Sequence, residues 1–142
     1  MRMSLADGST FDASQFVSVT QFRTLIGENA VSAASVVQRQ VEAYNDRDLN
    51  RFVSTYSEKI TVFRMPSIEP SIVGKAQLAD FYATQRFNLP DLHAEIVNRI
   101  ELGNKIIDHE RVWGIRADAI EVAAVYEVAE GLIQRAWFFS PE

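Results

Sequence analysis

Four ionisable side chains stand in a row inside an otherwise apolar segment, residues 106–113 (IIDHERVW). The segment predicts a β-strand, and successive side chains of a strand point to opposite faces of the sheet. Asp108 and Glu110 therefore share one face, and His109 and Arg111 share the other. The rise of a strand puts the two carboxylates about 6.5–7 Å apart. If their face is turned inward they line a cavity, because unpaired carboxylates are too costly to bury in a packed core.

Two carboxylates at this spacing could do proton chemistry. Their repulsion in a cleft raises the pKa of at least one of them, which suits a general acid or base near neutral pH. Arg64 could receive a carboxylate, an enolate or a polarised oxygen of a ligand. Asp108, Glu110 and Arg64 are thus the candidate catalytic residues. The alternative is structural: Arg64 neutralises one carboxylate, and the other meets Arg99, Arg135 or water.

The composition sets limits on the class of protein. The chain has 142 residues, a net charge of −5 and no cysteine. It is long enough for one domain with its own core, and no basic cluster points to nucleic acid. The missing cysteines exclude thiol catalysis and disulfides. No apolar run predicts a signal peptide or a membrane span, so a cytoplasmic location is the expectation.

The elements fall into an extension and a domain. Residues 1–30 predict an N-terminal extension with one short helix, capped by Asp12 or Ser14, stopped by Gly27 and carrying Phe16, Val19, Phe22 and Ile26. Residues 31–142 predict the domain. Ser32 caps its first helix, Asp48 caps a second, and a third covers about 75–86. The apolar stripe of the second helix is Leu49, Phe52, Val53 and Tyr56.

The strands are predicted at 60–65, 93–101, 105–114, 119–129 and 132–139, with short turns at 102–104 and 130–131. Helices followed by long strands joined by short turns indicate an α+β fold, with the helices gathered on one face of an antiparallel sheet.

Several of these segments together resemble the NTF2-like superfamily, in particular its SnoaL-like and ketosteroid-isomerase-like branch. The resemblance covers about residues 33–140 and is carried by the segments 36–49, 60–63, 74–82 and 126–138. It implies a cone, in which a curved antiparallel sheet wraps over three helices and encloses a pocket. It also implies a homodimer that forms through the outer face of the sheet.

The resemblance does not bring the isomerase residues with it. The position of the ketosteroid isomerase base corresponds to Arg64, or to Met65 if the frame slips by one residue. The position of the oxyanion tyrosine corresponds to Gln40, and that of its protonated aspartic acid partner to Ala124. Steroid isomerisation by that mechanism is therefore not expected. No clean match to the Asp-Arg-Asp cluster of the limonene-epoxide hydrolases is found either.

The predicted ligand-binding residues are mainly aromatic and polar. A pocket for a small hydrophobic molecule needs aromatic walls and a few polar groups. Tyr56 and Tyr82 match supporting tyrosines of the ketosteroid-isomerase-like branch. Together with Gln40 they are predicted to form a polar network. The two histidines and the scattered carboxylates form no metal-ligand pattern, and no cofactor is expected. The predicted set is Gln40, Tyr56, Tyr82, His93, Tyr126 and Trp137.

Three functions remain open from the sequence. The first is an enzyme of isomerase, cyclase or hydratase type that uses general acid/base chemistry. The second is a protein that binds a small molecule without transforming it. The third is a protein-interaction module, which predicts a cavity filled by side chains and an exposed apolar patch.

Overall fold

The computed structural model describes residues 2–4, 10–12 and 31–141, and the chain divides into two units, Met1–Val31 and Ser32–Glu142. In the first unit, β1 (Arg2–Ser4) pairs antiparallel with β2 (Thr10–Asp12). The helix predicted around Phe16 to Ile26 lies outside the described residues. No helix in the described part of the chain is long and apolar enough to cross a bilayer.

Three helices precede most of the sheet in the second unit: α1 (Ala33–Asn45), α2 (Leu49–Ser54) and α3 (Lys75–Gln85). The side chain of Ser32 accepts a hydrogen bond from the Ser35 N–H at 3.1 Å, so it satisfies a free donor at the start of α1. Asp48 does the same for α2, where it accepts from the Arg51 N–H at 3.2 Å. Both N-caps predicted from the sequence are confirmed.

The sheet consists of β3 (Tyr56–Arg64), β4 (Ile72–Val73), β5 (His93–Leu102), β6 (Lys105–Trp113), β7 (Ile120–Ala129) and β8 (Leu132–Phe139). It is curved and unclosed, with the strand order β4-β3-β8-β7-β6-β5. The predicted NTF2-like α+β fold is confirmed. The sheet is mixed and not wholly antiparallel, because β8 runs parallel to β3. A parallel pair needs a long connection, which α3 and the intervening strands supply.

Tyr56 was predicted on the apolar stripe of α2, and that prediction is wrong. The helix ends at Ser54, and the Thr55 hydroxyl donates to the Phe52 carbonyl at 2.7 Å. Tyr56 then opens β3 opposite Ile133. Its ring is still buried and lies 5.1 Å from the Phe52 ring, measured between centroids. Tyr56 is buried in the same core whether it ends a helix or begins a strand. The spacing of apolar residues therefore could not distinguish the two.

The main core fills the space between the helices and the inner face of the sheet. Its largest fully buried side chains come from α2, α3 and four strands: Phe52, Tyr56, Ile60, Leu78, Ile106, Tyr126 and Ile133. A smaller apolar cluster, Leu92, Ala94 and Val112, lies at the start of β5 and the end of β6.

Asn45 joins the two regions. Its Nδ2 donates to the Ala94 carbonyl at 3.0 Å, and its Oδ1 accepts from the Ala94 N–H at 2.7 Å. Paired backbone groups of this kind are strongly preferred in a partly buried setting. The last residue of α1 is therefore held to the start of β5, which fixes the helix over the sheet.

Gly114 brings the loop after β6 into contact with the chain before β5. Its φ is +95°, and a Cβ atom built there would come within 2.6 Å of backbone atoms of Asp91 and Leu92. Real Cβ atoms do not approach backbone so closely, and positive φ also disfavours residues with a side chain. The glycine thus permits a close approach that positions the next residue, Ile115.

We expect Gly114→Ala to destabilise the fold by about 3 kcal/mol or more, since it adds a backbone clash to the cost of positive φ. Gly103→Ala is the matched control: its φ is +61°, but nothing lies within 4 Å of the added Cβ. That variant should lose only about 1 kcal/mol. Urea denaturation of the three proteins measures both values. Equal losses in the two variants would show that the close approach at Gly114 does not exist.

Candidate functional site

The two carboxylates of β6 both point inward, as their spacing predicted. Asp108 is 0% exposed and Glu110 is 8% exposed. His109 and Arg111 lie on the opposite face, where both are partly open to solvent and both contact Glu121. The alternation of a strand therefore separates a buried acidic pair from an external network of ion pairs.

Asp108 is paired with Arg99, the residue directly opposite it on β5. The Arg99 Nε donates to Asp108 Oδ1 at 2.7 Å, and Nη2 donates to Oδ2 at 2.9 Å. Arg99 Nη1 also donates to the side-chain oxygen of Gln38 on α1 at 3.0 Å. A bidentate pair of this kind occupies both carboxylate oxygens. The sequence predicted Asp108 in the cavity wall, but it is fully buried and is not among the residues that line the cavity described below.

Glu110 has no cationic partner within ion-pair distance among the described residues. Its Oε2 accepts a hydrogen bond from the Tyr126 hydroxyl at 3.1 Å. Burial, followed by the charge of Asp108, raises the pKa of Glu110 to about 7, while the Tyr126 hydrogen bond and Arg99 act in the opposite direction. The carboxyl can therefore gain or lose a proton near neutral pH.

A cavity of about 70 Å³ opens beside Glu110. It is several times larger than the space that one water needs, but much smaller than the roughly 300 Å³ at which drug-sized pockets begin. Its walls come from α1, α3 and the inner face of the sheet. The lining residues are Gln40, Val41, Tyr44, Arg64, Tyr82, Arg86, Ala94, Glu110, Val112, Ile115, Ile120, Val122, Tyr126 and Phe138.

Gln40 contributes a buried amide to this wall. Its Nε2 donates to the Tyr56 hydroxyl at 3.0 Å, which is one part of the network predicted for Gln40, Tyr56 and Tyr82. No hydrogen bond joins Gln40 to Tyr82 among the described residues. Its Oε1 is buried and has no hydrogen-bond partner among the described residues. A buried acceptor without a partner costs roughly 1–3 kcal/mol. The cavity therefore has a polar group that a ligand could satisfy.

Two arginines lie at the same cavity, Arg64 at the end of β3 and Arg86 just after α3. Their guanidinium carbons lie 5.6 and 5.0 Å from the centroid of the Phe81 ring. Arg64 is also 5.5 Å from the centroid of the Phe138 ring. Neither arginine has an ion pair with a carboxylate in the part of the chain that the structure describes. The aromatic faces of Phe81 and Phe138 hold the two cations at the cavity without neutralising them.

Two tyrosines complete the polar wall. Tyr44 and Tyr82 meet edge to face, with centroids 6.3 Å apart. Burial is the largest cause that raises the pKa of Tyr82, and the charges of Arg64 and Arg86 lower it. The pKa of Tyr44 is likewise raised, mainly by burial. Both phenols thus stay protonated at neutral pH, when they can donate a hydrogen bond.

The structure brings together five of the predicted site residues: Glu110, Arg64, Gln40, Tyr82 and Tyr126. The remaining ligand-binding candidates do not line the cavity. Tyr56 is in the core behind Gln40. His93 is exposed beside Trp113.

Trp137 is placed on the outer face of the sheet, where it stacks on Phe63 with centroids 6.2 Å apart. Its neighbour Phe138 lines the cavity in its place. Sequence reasoning missed Arg86, Tyr44 and Phe138. For the first two a signal was present, because Tyr44 follows Gln40 by one helical turn and Arg86 follows Tyr82 by the same step.

The outer face carries a second depression, of about 740 Å³, lined by Lys59, Thr61, Phe63, Glu127, Ala129, Glu130, Gln134, Arg135 and Trp137. On this face the pKa of Glu121 is lowered by hydrogen bonds from Arg111 and His109. The homodimer expected there from the resemblance stays a prediction. The described residues contain no cluster of three or more His, Asp or Glu side chains that could hold a metal ion.

Comparisons with known proteins agree with this architecture. Residues 37–136 match the family model of the SnoaL-like domain, and the chain belongs to that family. An uncharacterised cystatin-fold protein from Novosphingobium aromaticivorans is similar, with a TM-score of 0.69 and 21% identity over 77% of this chain and 98% of that chain. No curated protein matches the sequence significantly.

Two further solved structures carry functional names. A provisionally named ketosteroid isomerase from Kribbella flavida gives a TM-score of 0.67 and 18% identity over 78% of each chain. A provisionally named polyketide cyclase from Sinorhizobium meliloti gives 0.64 and 14%, over 73% of this chain and 93% of that chain. At these identities the likeness shows the fold alone.

The Asp108–Arg99 pair generates a stability prediction. Arg99→Leu leaves a charged carboxylate buried and should cost about 3–5 kcal/mol in unfolding free energy. The double variant Arg99→Leu/Asp108→Leu should recover most of that loss, because apolar side chains replace both charges. Arg111→Leu, which breaks a partly exposed pair on the outer face, should cost at most about 1 kcal/mol. Denaturant titration of the three variants checks the order; a double variant no more stable than Arg99→Leu would contradict it.

Glu110 generates a prediction about pH. The folded state raises the pKa of Glu110 from 4.5 to about 7, so the folded protein holds this proton more tightly than the unfolded chain. Stability from this group is present below pH 4.5 and is lost as the pH rises to about 7. The difference in unfolding free energy between Glu110→Gln and the wild type should therefore shift in favour of the variant by about 2–3 kcal/mol when the pH is raised from about 5 to about 8.

The measurement is denaturant unfolding of both proteins at the two pH values. Glu95→Gln, on the outer face of β5, is the matched control and should keep the pH dependence of the wild type. If Glu110→Gln also follows the wild type, the proton of Glu110 is not held as the structure indicates.

Proposed function

We propose that the protein is a small-molecule enzyme that moves a proton within this cavity, with Glu110 as the general acid/base. The single observation that carries the proposal is the environment of Glu110. Its carboxyl is buried in the cavity wall, is hydrogen-bonded by Tyr126, and has a pKa of about 7. A group of this pKa offers both protonation states at neutral pH, which is the condition for efficient proton transfer.

The reaction class that suits this wall is proton removal from a carbon next to a carbonyl group. Glu110 Oε1 makes no hydrogen bond to the described residues, so it is the oxygen that would take the proton. The electron pair of the C–H bond then moves onto the carbonyl oxygen as an enolate. Where a C=C bond is conjugated with the enolate, return of the proton to the far carbon of that bond completes an isomerisation. Where the enolate carbon attacks a second carbonyl carbon, a ring closes, the C=O pair moves onto oxygen as an alkoxide, and the proton held by Glu110 passes to that alkoxide.

The arginines and tyrosines at the cavity support the formation of the enolate. Negative charge that develops on the carbonyl oxygen is stabilised by donors already in position. Tyr82 and Tyr44 supply neutral hydroxyls, and Arg64 and Arg86 supply positive charge. The names of the two relatives, isomerase and polyketide cyclase, belong to reactions that can begin in this way. Such chemistry is compatible with the present residues and needs no further group.

Asp108 has a positioning role in this proposal. It does not reach the cavity, but its charge helps to raise the pKa of Glu110. This differs from the pair of equivalent acids considered from the sequence.

A second candidate function is binding without chemical change. The free Gln40 Oε1 favours it, since a bound molecule could supply the missing donor whether or not a proton is transferred. The interaction-module alternative is less well supported, because it predicts a cavity filled by side chains and about 70 Å³ remains open.

Hydrogen–deuterium exchange tests the proposal with simple carbonyl compounds that stand in for the substrate. Wild type in D₂O is mixed separately with 2-oxobutyrate, 4-oxopentanoate and 2-butanone, and exchange beside the carbonyl is followed by NMR. We expect faster exchange than in buffer for at least one compound, and a loss of about 10²–10⁴-fold of that acceleration in Glu110→Gln. The acceleration should rise with pH and level off above about pH 7, because the base is the ionised form.

Glu95→Gln again serves as the control and should exchange like the wild type. Equal exchange rates for the wild type and Glu110→Gln across all three compounds, at the buffer rate or above it, would overturn the enzyme proposal. Binding of a compound by both proteins without exchange would favour the binding alternative.

A further inference from the structure

The cavity has an uneven distribution of charge. Arg64 and Arg86 line one part of it, and both contact the same ring, Phe81. The buried amide of Gln40 and the carboxyl of Glu110 line another part. The chain as a whole has a net charge of −5, so two unneutralised cations at one cavity are set against the overall charge.

We propose that the ligand of this cavity is a small carboxylate that carries a hydroxyl or enol group, with its carboxylate held by Arg64 and Arg86. The guanidinium group presents a planar set of donors that matches a carboxylate, and it binds one most strongly where water is partly excluded. Arg64 is exposed and Arg86 is half-buried, so the carboxylate would lie at the mouth while the rest of the molecule enters.

Gln40 sets the requirement for the second group. Its Oε1 is buried without a partner among the described residues, and the residue is only 4% exposed. A hydroxyl or enol O–H that enters the cavity can donate to this oxygen and so removes the cost of an unpaired acceptor. A purely aliphatic carboxylate would leave that cost in place. The amide therefore discriminates between carboxylates of similar size.

The volume limits the rest of the molecule. About 70 Å³ admits a short chain of a few carbon atoms but not a steroid. The apolar lining of Val112, Val122 and Ile120 suits such a chain. The sequence predicted a small hydrophobic molecule and allowed Arg64 to receive a carboxylate; the present inference adds a second arginine and a hydroxyl or enol group.

The inference deepens the proposed function, because the same cavity would hold the substrate, but its test measures binding alone. The probes are 3-hydroxybutyrate, its neutral amide 3-hydroxybutyramide, and butyrate, which lacks the hydroxyl. Dissociation constants are measured by calorimetry or ligand-observed NMR. In the wild type, the loss of the negative charge and the loss of the hydroxyl should each weaken binding about tenfold or more.

Arginine variants locate the carboxylate. Arg64→Gln and Arg86→Gln should each weaken 3-hydroxybutyrate binding about tenfold and leave 3-hydroxybutyramide binding nearly unchanged. Arg135→Gln removes the same charge from the outer face and is the matched control; it should bind all three probes like the wild type. Because Arg64 and Arg86 are not enclosed in the core, these variants should fold, and thermal unfolding verifies it.

The outcomes separate this inference from the proposed enzyme function. If 3-hydroxybutyrate and its amide bind equally, or neither binds, the carboxylate inference is overturned, whatever the exchange experiment shows. If the carboxylate binds through both arginines while Glu110→Gln exchanges protons as the wild type does, the inference stands and the enzyme function falls. If Arg135→Gln also weakened 3-hydroxybutyrate binding tenfold, the binding would depend on long-range charge attraction. That result would overturn the assignment of the carboxylate to Arg64 and Arg86.

Discussion

The burial of two carboxylates side by side on one strand is the constraint on which this structure depends. Asp108 and Glu110 cannot both be left charged under the helices, because desolvation and mutual repulsion act in the same direction. The fold resolves this asymmetrically. Arg99 donates two short hydrogen bonds to the carboxylate of Asp108. Glu110 then receives only a phenol, and its affinity for a proton rises. The structural ion pair and the chemically responsive acid are two results of one arrangement.

Much of the fold was accessible from the sequence because local rules and burial point the same way. The caps at Ser32 and Asp48 and the turn at residues 130–131 follow from short-range hydrogen bonding and backbone preference. The pairing of β3 with β8 could not be obtained in this way. It joins residues about seventy-five positions apart, and no local pattern records the direction in which two distant strands meet. The resemblance supplied the architecture but not this pair.

The site was less accessible, for reasons that differ from residue to residue. The inward direction of Asp108 and Glu110 follows from alternation alone. The partner of Asp108 follows from the turn at residues 103–104, because one register holds from the Leu102–Lys105 pair onward and places Arg99 opposite Asp108. The register shifts only beyond these pairs, between Ile96 and Asn98, where it changes the residue opposite Glu110, and nothing in the sequence marks that shift. Trp137 is a different case, because its neighbours Ala136 and Phe138 already indicate that it points away from the core.

The position of β8 between β3 and β7 has a consequence for how the domain is assembled. The strand joins the half of the sheet formed early in the chain to the hairpins that follow, and it is the last strand in sequence order. Until it emerges from the ribosome, β3 and β4 have no bond to the rest of the sheet, and their edge is open to other chains. Closure over such a sequence separation is slow compared with the formation of hairpins. In a nascent chain of this fold, β3 and β4 are therefore protected from aggregation only after β8 has been synthesised.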